Sequence, residues 1–181
     1  MTDSSQPPAS LSLPLNPTDH VIGPAHAAVV IIEYGDFECP SCAQAFPAVK
    51  LLLKEFENKI RFAFRHFPIE EAHPHAKLAA EAAEAAGAQG KFWQMHDLLF
   101  ENQSHLKLSA LHQYAAQLEL DLTRFDADIA DHIYLQRVQE HIDSAQDSEV
   151  RASPTFFVNG KVVDVSFGIQ HLFDAVRMRV K

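Results

Sequence analysis

The sequence predicts an α/β protein in which a βαβ unit and a ββα unit build one mixed sheet, with an all-helical segment inserted between them. Three observations support this fold class. A largely apolar run lies at 28–34 (AVVIIEY), residues 73–149 show no strand pattern, and an Asn-Gly pair at 159–160 separates two apolar runs near the end of the chain.

The first unit is predicted from residues 27–67. Its first strand, 27–34, is apolar almost throughout, which is typical of a central strand covered on both faces. A helix follows, because apolar side chains recur at helical spacing from Phe46 to Phe56. Residues 60–67 then alternate between apolar and polar, as a second strand would. Strand, helix and strand in this order predict parallel strands joined by a right-handed crossover.

The second half of the chain begins with helices and ends with a hairpin and a helix. Helical patterns cover 75–86, 91–101, 109–118 and 122–149, and the first of these helices is rich in alanine. Asn-Gly between apolar runs is a strong hairpin signal, because both residues tolerate positive φ. We therefore expect strands at 155–158 and 161–165, followed by a final helix over 169–180.

Composition indicates a soluble globular protein. Of the 181 residues, 47% are hydrophobic and 22% are charged, and the net charge of −9 argues against nucleic acid or an anionic membrane as a partner. The start of the chain lacks a signal-peptide pattern, and no apolar run approaches the roughly 20 residues of a membrane span. These features predict a cytoplasmic protein without a membrane span; a periplasmic location would require that the sequence had been trimmed.

We expect three parts along the chain. Residues 1–19, rich in serine and proline, are predicted to form a flexible N-terminal arm. Residues 20–72 and 150–181 are predicted to form the sheet-containing domain, and residues 73–149 the helical insertion.

Both cysteines of the chain, Cys39 and Cys42, lie where the first strand gives way to its helix. Pro40 suits the first helical position, so Cys39 should be the N-cap, where its sulfur can accept hydrogen bonds from the N–H groups of Ser41 and Cys42. These donors and the helix dipole should lower the pKa of Cys39 below about 8.5. Cys39 is expected to face solvent and Cys42 to be shielded against the sheet. The spacing therefore predicts a redox-active dithiol that can close to a disulfide.

Other roles for the cysteine pair are weaker. A structural disulfide across so short a loop would restrain little chain entropy. A zinc site would need a second ligand pair, and His73 and His75 lie farther from the cysteines than zinc motifs usually allow. Two inert buried cysteines are a third alternative. The eleven histidines scatter without a metal-binding pattern, so no metal site is predicted.

Several motifs resemble one known family. They are residues 33–42 (EYGDFECPSC), 66–68 (HFP), 90–97 (GKFWQMHD) and 154–160 (PTFFVNG). With the order of elements, these motifs are similar to the DsbA-like thiol–disulfide oxidoreductases, which have a thioredoxin-like fold with a helical insertion. The resemblance covers residues 20–181.

The resemblance implies further site residues. Pro154 matches the cis-proline that packs beside the dithiol, and Glu33 matches a buried acid that exchanges protons with Cys42. From the residues alone, an exposed acid at a strand end is an alternative for Glu33. The residues expected to contact substrate are Pro40, Ser41, Ser153 and Thr155.

We therefore predict a thiol–disulfide oxidoreductase that acts on protein or peptide substrates, without metal, flavin or nucleotide, because the cysteine pair itself carries the electrons. Glutathione or a thioredoxin-type protein is the expected redox partner, and a monomer is expected. Two alternatives stay open: a redox-inactive, chaperone-like or regulatory module, and a kappa-type glutathione transferase. Ser41 and Ser153 depart from the residues common in strongly oxidising members, so the direction of electron flow is not predicted.

Overall fold

The computed structural model describes residues 9–180, which form a five-stranded sheet with seven α-helices. The elements in chain order are β1 (His20–Ile22), β2 (Val29–Gly35), α1 (Pro40–Glu55), β3 (Ile60–His66), α2 (Ala76–Gly87), α3 (Phe92–Glu101), α4 (Leu108–Gln117), α5 (Leu122–Ala130), α6 (Leu135–Asp147), β4 (Thr155–Val158), β5 (Lys161–Val163) and α7 (Gln170–Arg177).

The sheet is mixed, with strand order β1-β3-β2-β4-β5. β2 and β3 are parallel, and the other three pairings are antiparallel. The predicted βαβ unit, hairpin and final helix are all present, and α2 to α6 occupy the predicted helical segment. β1 was not predicted, because three residues are too few to show a strand period. The structure is thus the predicted α/β thioredoxin-like fold.

The sheet separates two apolar cores, because successive side chains of a strand point to opposite faces. Ile31 of β2 belongs to the larger core, which α1, α2, α3 and α7 cover. Ile32 and Tyr34 belong to the smaller core, together with Ala145 of α6. This arrangement explains why β2 is apolar almost throughout: both of its faces are covered.

The alanines of α2 have a packing role. Eight consecutive residues, from Ala79 to Ala86, are buried, so nearly every side of this helix is covered. α2 contacts α3, α4, α5 and α6, and small side chains let these neighbours approach closely. The alanine-rich segment is therefore the centre of the helical part.

The prediction of a flexible arm is wrong for residues 9–19, whereas residues 1–8 lie outside the described residues. The Ser12 hydroxyl lies 2.9 Å from the hydroxyl of Ser148, and Ser10 forms a β-bridge with Lys161. Asp19 forms an ion pair of 2.8 Å with Arg65, and both side chains are almost wholly buried. The arm is held because the buried guanidinium of Arg65 needs partners, and this segment supplies them.

Across residues 9–180, every helix is too short or too polar to cross a lipid bilayer.

Candidate active site

The dithiol lies at the C-terminal end of β2, where the chain enters α1. Cys39 is the N-cap, with φ −76° and ψ 123°, and Pro40 occupies the first turn, as predicted. Both thiols are free. The expectation that Cys39 faces solvent is wrong, because Cys39 is only 7% exposed. Cys42 is the more deeply buried of the two, at 0% exposure, as expected. The pair is asymmetric, and both sulfurs lie close to protein groups that tune them.

Several groups favour the thiolate of Cys39. The hydrogen bond from the Cys42 thiol is the largest influence, and it lowers the pKa of Cys39 to about 5, against an opposing effect of burial. Ser153 and the backbone N–H groups of Cys42 and Ser41 lower the pKa of Cys39 further. At neutral pH Cys39 is therefore a thiolate, which is the nucleophilic form of cysteine.

One detail of the predicted capping is not present. Sγ of Cys39 accepts no capping hydrogen bond from the first turn of α1. The N–H groups of Ser41 and Cys42 still lie near enough to the sulfur to favour the thiolate. The main stabiliser is instead the neighbouring thiol of Cys42. Helix position alone therefore accounts for only part of the activation of Cys39.

Cys42 is tuned in the opposite direction. Its hydrogen bond to Cys39 raises the pKa of Cys42, and burial and the charges of Glu33 and Cys39 raise it further. The backbone N–H of Asp36 opposes these effects, because it donates a hydrogen bond to Sγ of Cys42 at 3.5 Å. Cys42 is therefore a protonated thiol that must lose a proton before it can react.

Glu33 is a buried acid, only 4% exposed, so the alternative of a solvated strand-end residue is wrong. It lies in β2 opposite Phe64 of β3 and Phe156 of β4. Burial raises the pKa of Glu33 to about 8, since the charged form loses its hydration. A carboxyl group with this pKa can both accept and release a proton near neutral pH.

The segment before β4 closes the site on the other side. The Ser153–Pro154 peptide bond is cis, and Sγ of Cys39 lies 3.5 Å from the carbonyl oxygen of Ser153, to which it donates a hydrogen bond when it is protonated. The Ser153 hydroxyl is buried without a hydrogen-bond partner among the described residues. Thr155 begins β4, opposite Tyr34 of β2.

A groove of about 670 Å³ runs alongside this segment. Of the residues expected to contact substrate, Ser41, Ser153 and Thr155 line the groove, together with Pro154, whereas Pro40 does not. Its apolar wall comes from Val162, Val163, Val165 and Ile169. The groove thus begins next to the dithiol and continues along the hairpin and the start of the last helix.

The sequence did not predict two polar groups that hold the active-site loop. The buried carboxylate of Asp36 accepts hydrogen bonds from the N–H of Glu38 at 2.8 Å and from Nδ1 of His73 at 2.7 Å. The amide of Gln103, after α3, donates to the carbonyl oxygens of Phe37 and Cys39 at 3.0 and 2.7 Å. Aspartate in a short loop is a turn signal that could have indicated Asp36. Gln103 gives no such signal, because it lies in the helical segment.

A second polar cluster lies where β3 ends against α2 and α6. Ligand atoms of His66, Glu84 and His141 lie within 4.8 Å of one another, so these side chains could hold a metal ion. Hydrogen bonds already engage them: His66 and His20 each bond to Glu84 at 2.9 Å, and the His66 N–H donates to Nδ1 of His141 at 3.0 Å. Because a metal would have to displace these bonds, we interpret the cluster as structural. The sequence did not predict it.

The protonation states in this cluster support that interpretation. Burial alone would raise the pKa of Glu84, but the hydrogen bonds from His20 and His66 hold it well below its ordinary value. Burial lowers the pKa of His141 to about 3, so its ring is neutral and can accept the backbone N–H. The cluster is therefore a carboxylate held between two imidazole donors.

The chain belongs to the thioredoxin family, whose model matches residues 15–176. Among curated relatives, Na(+)/H(+) antiporter NhaA 1 of Salinispora arenicola is 51% identical over 167 residues, which are 92% of this chain and 26% of that protein. A protein of the same name from Mycolicibacterium vanbaalenii is 41% identical over 88% of this chain and 27% of its own length. This chain thus spans about a quarter of the length of the curated relatives it matches.

Solved structures share the fold. A thioredoxin-like oxidoreductase from Silicibacter pomeroyi is 26% identical with a TM-score of 0.76, covering 90% of this chain and 92% of that one. Oxidised BdbD from Bacillus subtilis has a TM-score of 0.80 at 23% identity, covering 88% and 91%. The α-DsbA1 of Wolbachia pipientis has a TM-score of 0.79 at 20% identity, covering 94% of each chain. At this level of identity the last two support the fold only.

Proposed function

We propose that the chain is a thiol–disulfide oxidoreductase that exchanges two electrons with disulfides of protein or peptide substrates. The observation that carries this proposal is the asymmetric placement of the two free thiols: Cys39 caps α1 beside the cis Ser153–Pro154 bond, whereas Cys42 is fully buried, and the pKa of Cys39 is accordingly lowered to about 5 while that of Cys42 is raised. A structural or inert pair would not need one activated and one shielded sulfur. The similarity to the oxidoreductase from Silicibacter pomeroyi gives independent support.

In the reducing direction, the Cys39 thiolate attacks one sulfur of the substrate disulfide. A Cys39–substrate mixed disulfide forms, and the other substrate sulfur leaves as a thiolate and takes up a proton. Cys42 then loses its proton to Glu33 or to water and attacks Sγ of Cys39. The Cys39–Cys42 disulfide forms, the second substrate thiolate leaves, and the dithiol has given two electrons to the substrate. The oxidising direction runs these steps in reverse.

The groove supports a polypeptide as the substrate. Its apolar wall of valine and isoleucine side chains suits apolar residues of an extended chain, and Ser153 to Thr155 offer backbone groups next to the reactive sulfur. Phe167, 88% exposed between two residues that line the groove, adds apolar surface at its rim. We propose glutathione or a thioredoxin-type protein as the partner that restores the starting redox state.

An insulin-reduction assay with dithiothreitol as electron donor tests this function. The wild-type protein should accelerate insulin reduction, and both Cys39→Ser and Cys42→Ser should remove the acceleration. A wild-type rate equal to the rate with dithiothreitol alone would favour the redox-inactive module. A kappa-type glutathione transferase needs no resolving cysteine. Conjugation of glutathione to an electrophile that survives Cys42→Ser would therefore favour that alternative.

A further inference from the structure

The loop between β2 and α1 is built around the carboxylate of Asp36, which is only 1% exposed. One oxygen accepts the N–H of Glu38 at 2.8 Å. The other accepts the N–H of Ile69 at 2.9 Å and Nδ1 of His73 at 2.7 Å. Since Ile69 and His73 belong to the segment after β3, Asp36 ties together the two loops that follow the central parallel strands.

The backbone N–H of the same residue points to the resolving cysteine. It donates to Sγ of Cys42 at 3.5 Å. This hydrogen bond is the one influence that lowers the pKa of Cys42, whereas the hydrogen bond to Cys39, burial and the charges of Glu33 and Cys39 all raise it. A hydrogen bond to sulfur strengthens when the sulfur gains negative charge. The Asp36 N–H therefore favours the state of Cys42 that the resolving step requires.

His73 is the one side chain among the described residues that donates to the Asp36 carboxylate. Its own side chain is 17% exposed, whereas that of Asp36 is fully buried. The other donors to this carboxylate are backbone N–H groups, which stay in place when a side chain is changed. Substitution of His73 therefore changes the hold on Asp36 through a single contact.

We propose that Asp36 and His73 are positioning residues for the resolving step, in which His73 holds Asp36 so that its N–H supports the Cys42 thiolate. This inference rests on the proposed function. In the step, the Cys42 proton passes to Glu33 or to water, and the Cys42 sulfur bonds to Sγ of Cys39. The bond from Cys39 to the substrate sulfur breaks, and its electron pair leaves with that sulfur.

Asp36 and His73 should affect only one of the two chemical steps. Asp36 contacts Cys39 only through the backbone, where its carbonyl oxygen accepts the Cys39 N–H at 3.1 Å, and neither Asp36 nor His73 is among the groups that shift the pKa of the Cys39 thiol, which are Cys42, Ser153 and Ser41. Loss of the His73 contact should therefore leave the first attack unchanged and slow only the resolving step. A purely structural role for His73 would disturb both steps, because both cysteines lie in or next to the same loop.

Ellman's disulfide can resolve the two steps in a stopped-flow measurement. Attack by Cys39 releases one nitrothiobenzoate at a rate proportional to reagent concentration, and resolution by Cys42 releases the second at a rate independent of it. In His73→Ala the second phase should slow roughly tenfold, a typical effect for loss of support to a charged group. The first phase should keep its wild-type rate.

His73→Asn is the rescue variant, since its side-chain N–H₂ can occupy the position of Nδ1. It should restore most of the second-phase rate. His73→Gln keeps similar bulk but has no donor at the position of Nδ1, so it should resemble His73→Ala. It provides the same test if the alanine variant folds poorly. His75→Ala is the matched control: it alters the next histidine of the same loop, which contacts this region through its backbone N–H to Glu38, and should leave both phases unchanged.

One contrary result is a normal second phase in the wild-type protein and the same second-phase rate in folded His73→Ala or His73→Gln. That result would overturn the role of His73 and leave the proposed function intact. Equal slowing of both phases would also overturn it, because that pattern indicates a general structural role. A wild-type protein that releases only one nitrothiobenzoate and forms no internal disulfide would instead overturn the proposed function.

Discussion

Sγ of Cys39 lies 3.5 Å from the carbonyl oxygen of Ser153, a residue 114 positions later in the chain. The contact places the reactive sulfur against the segment that precedes β4 and lines the groove. A substrate chain that pairs with this segment would bring its own disulfide to Cys39. Sγ of Cys39 and the segment that lines the groove thus come from parts of the chain that are far apart in sequence.

The first prediction concerns the roles of the two cysteines. Cys42→Ser should trap mixed disulfides with substrate proteins, because Cys39 can still attack but nothing resolves the product. Cys39→Ser should trap almost none, since the remaining thiol is buried and protonated at neutral pH. Affinity purification followed by non-reducing electrophoresis measures both, with the double serine variant as background. Equal trapping by the two single variants would contradict the assigned roles.

The second prediction concerns the acidity of Cys39. The rate of its alkylation by iodoacetamide should rise through a pKa of about 5 and then level off. In Cys42→Ala the pKa of Cys39 should move up toward the ordinary value of 9.0, because the hydrogen bond from Cys42 is the largest influence that lowers it.

Ser41→Ala is the matched control for this titration. Ser41 acts on Cys39 through its backbone N–H, which alanine retains, so the pKa of Cys39 should not change. A pKa of Cys39 near 9 in the wild-type protein would remove the argument for an activated nucleophile.

The third prediction concerns proton transfer by Glu33. Glu33→Gln should slow the resolving step around neutral pH, because glutamine cannot accept the Cys42 proton. The pH dependence of that step should lose an ionisation near pH 8, the value to which burial raises the pKa of Glu33. Single-turnover rates across this pH range measure the effect. Glu57→Gln serves as the control, because it makes the same substitution at an exposed glutamate.

The same variant should change how stability depends on pH. The pKa of Glu33 is about 8 in the folded state, against an ordinary value of 4.5 in an unfolded chain. Between these values the folded state keeps a proton that the unfolded state has lost, so the free energy of unfolding falls as pH rises through this window. Glu33→Gln should lack this decline and be more stable than wild type near pH 8. Parallel stability profiles for the two proteins would show that Glu33 is solvated.

The fourth prediction concerns the ion pair between Asp19 and Arg65, which fixes the N-terminal segment. Asp19→Asn should lower the free energy of unfolding by about 3–5 kcal/mol, because it leaves the buried guanidinium without its counter-ion. Denaturant unfolding measures this. Asp174→Asn removes an exposed partner of Arg177 and should cost at most about 1 kcal/mol. Equal effects of the two substitutions would contradict the structural role of the N-terminal segment.

The elements that the sequence predicted share one property: their signal is local. Apolar periodicity indicated the strands and helices, and the Cys39–Cys42 spacing indicated the dithiol. The parts that were not predicted depend on distant polar partners. Arg65 is a polar position in the alternating segment 60–67, yet it is fully buried, and Asp19 neutralises its charge.

The candidate site could be predicted only in part for the same reason, because some of its contacts come from residues distant in sequence. Cys39 and Cys42 could be assigned from their position, but some of the contacts that tune them come from Ser153 and from the backbone N–H of Asp36. No periodic pattern links such residues to the dithiol. The hold of His73 on Asp36 likewise joins two loops that only the parallel pairing of β2 and β3 brings together.

The most direct test of the account is the equilibrium of the Cys39–Cys42 pair in glutathione buffers of defined ratio. The fraction of disulfide should be measured by alkylation and mass spectrometry. Cys39 and Cys42 should form one intramolecular disulfide in a single two-electron transition, with about 30 mV for each tenfold change in the equilibrium. Independent glutathione adducts on each cysteine, or two thiols that stay reduced at every ratio, would contradict this prediction.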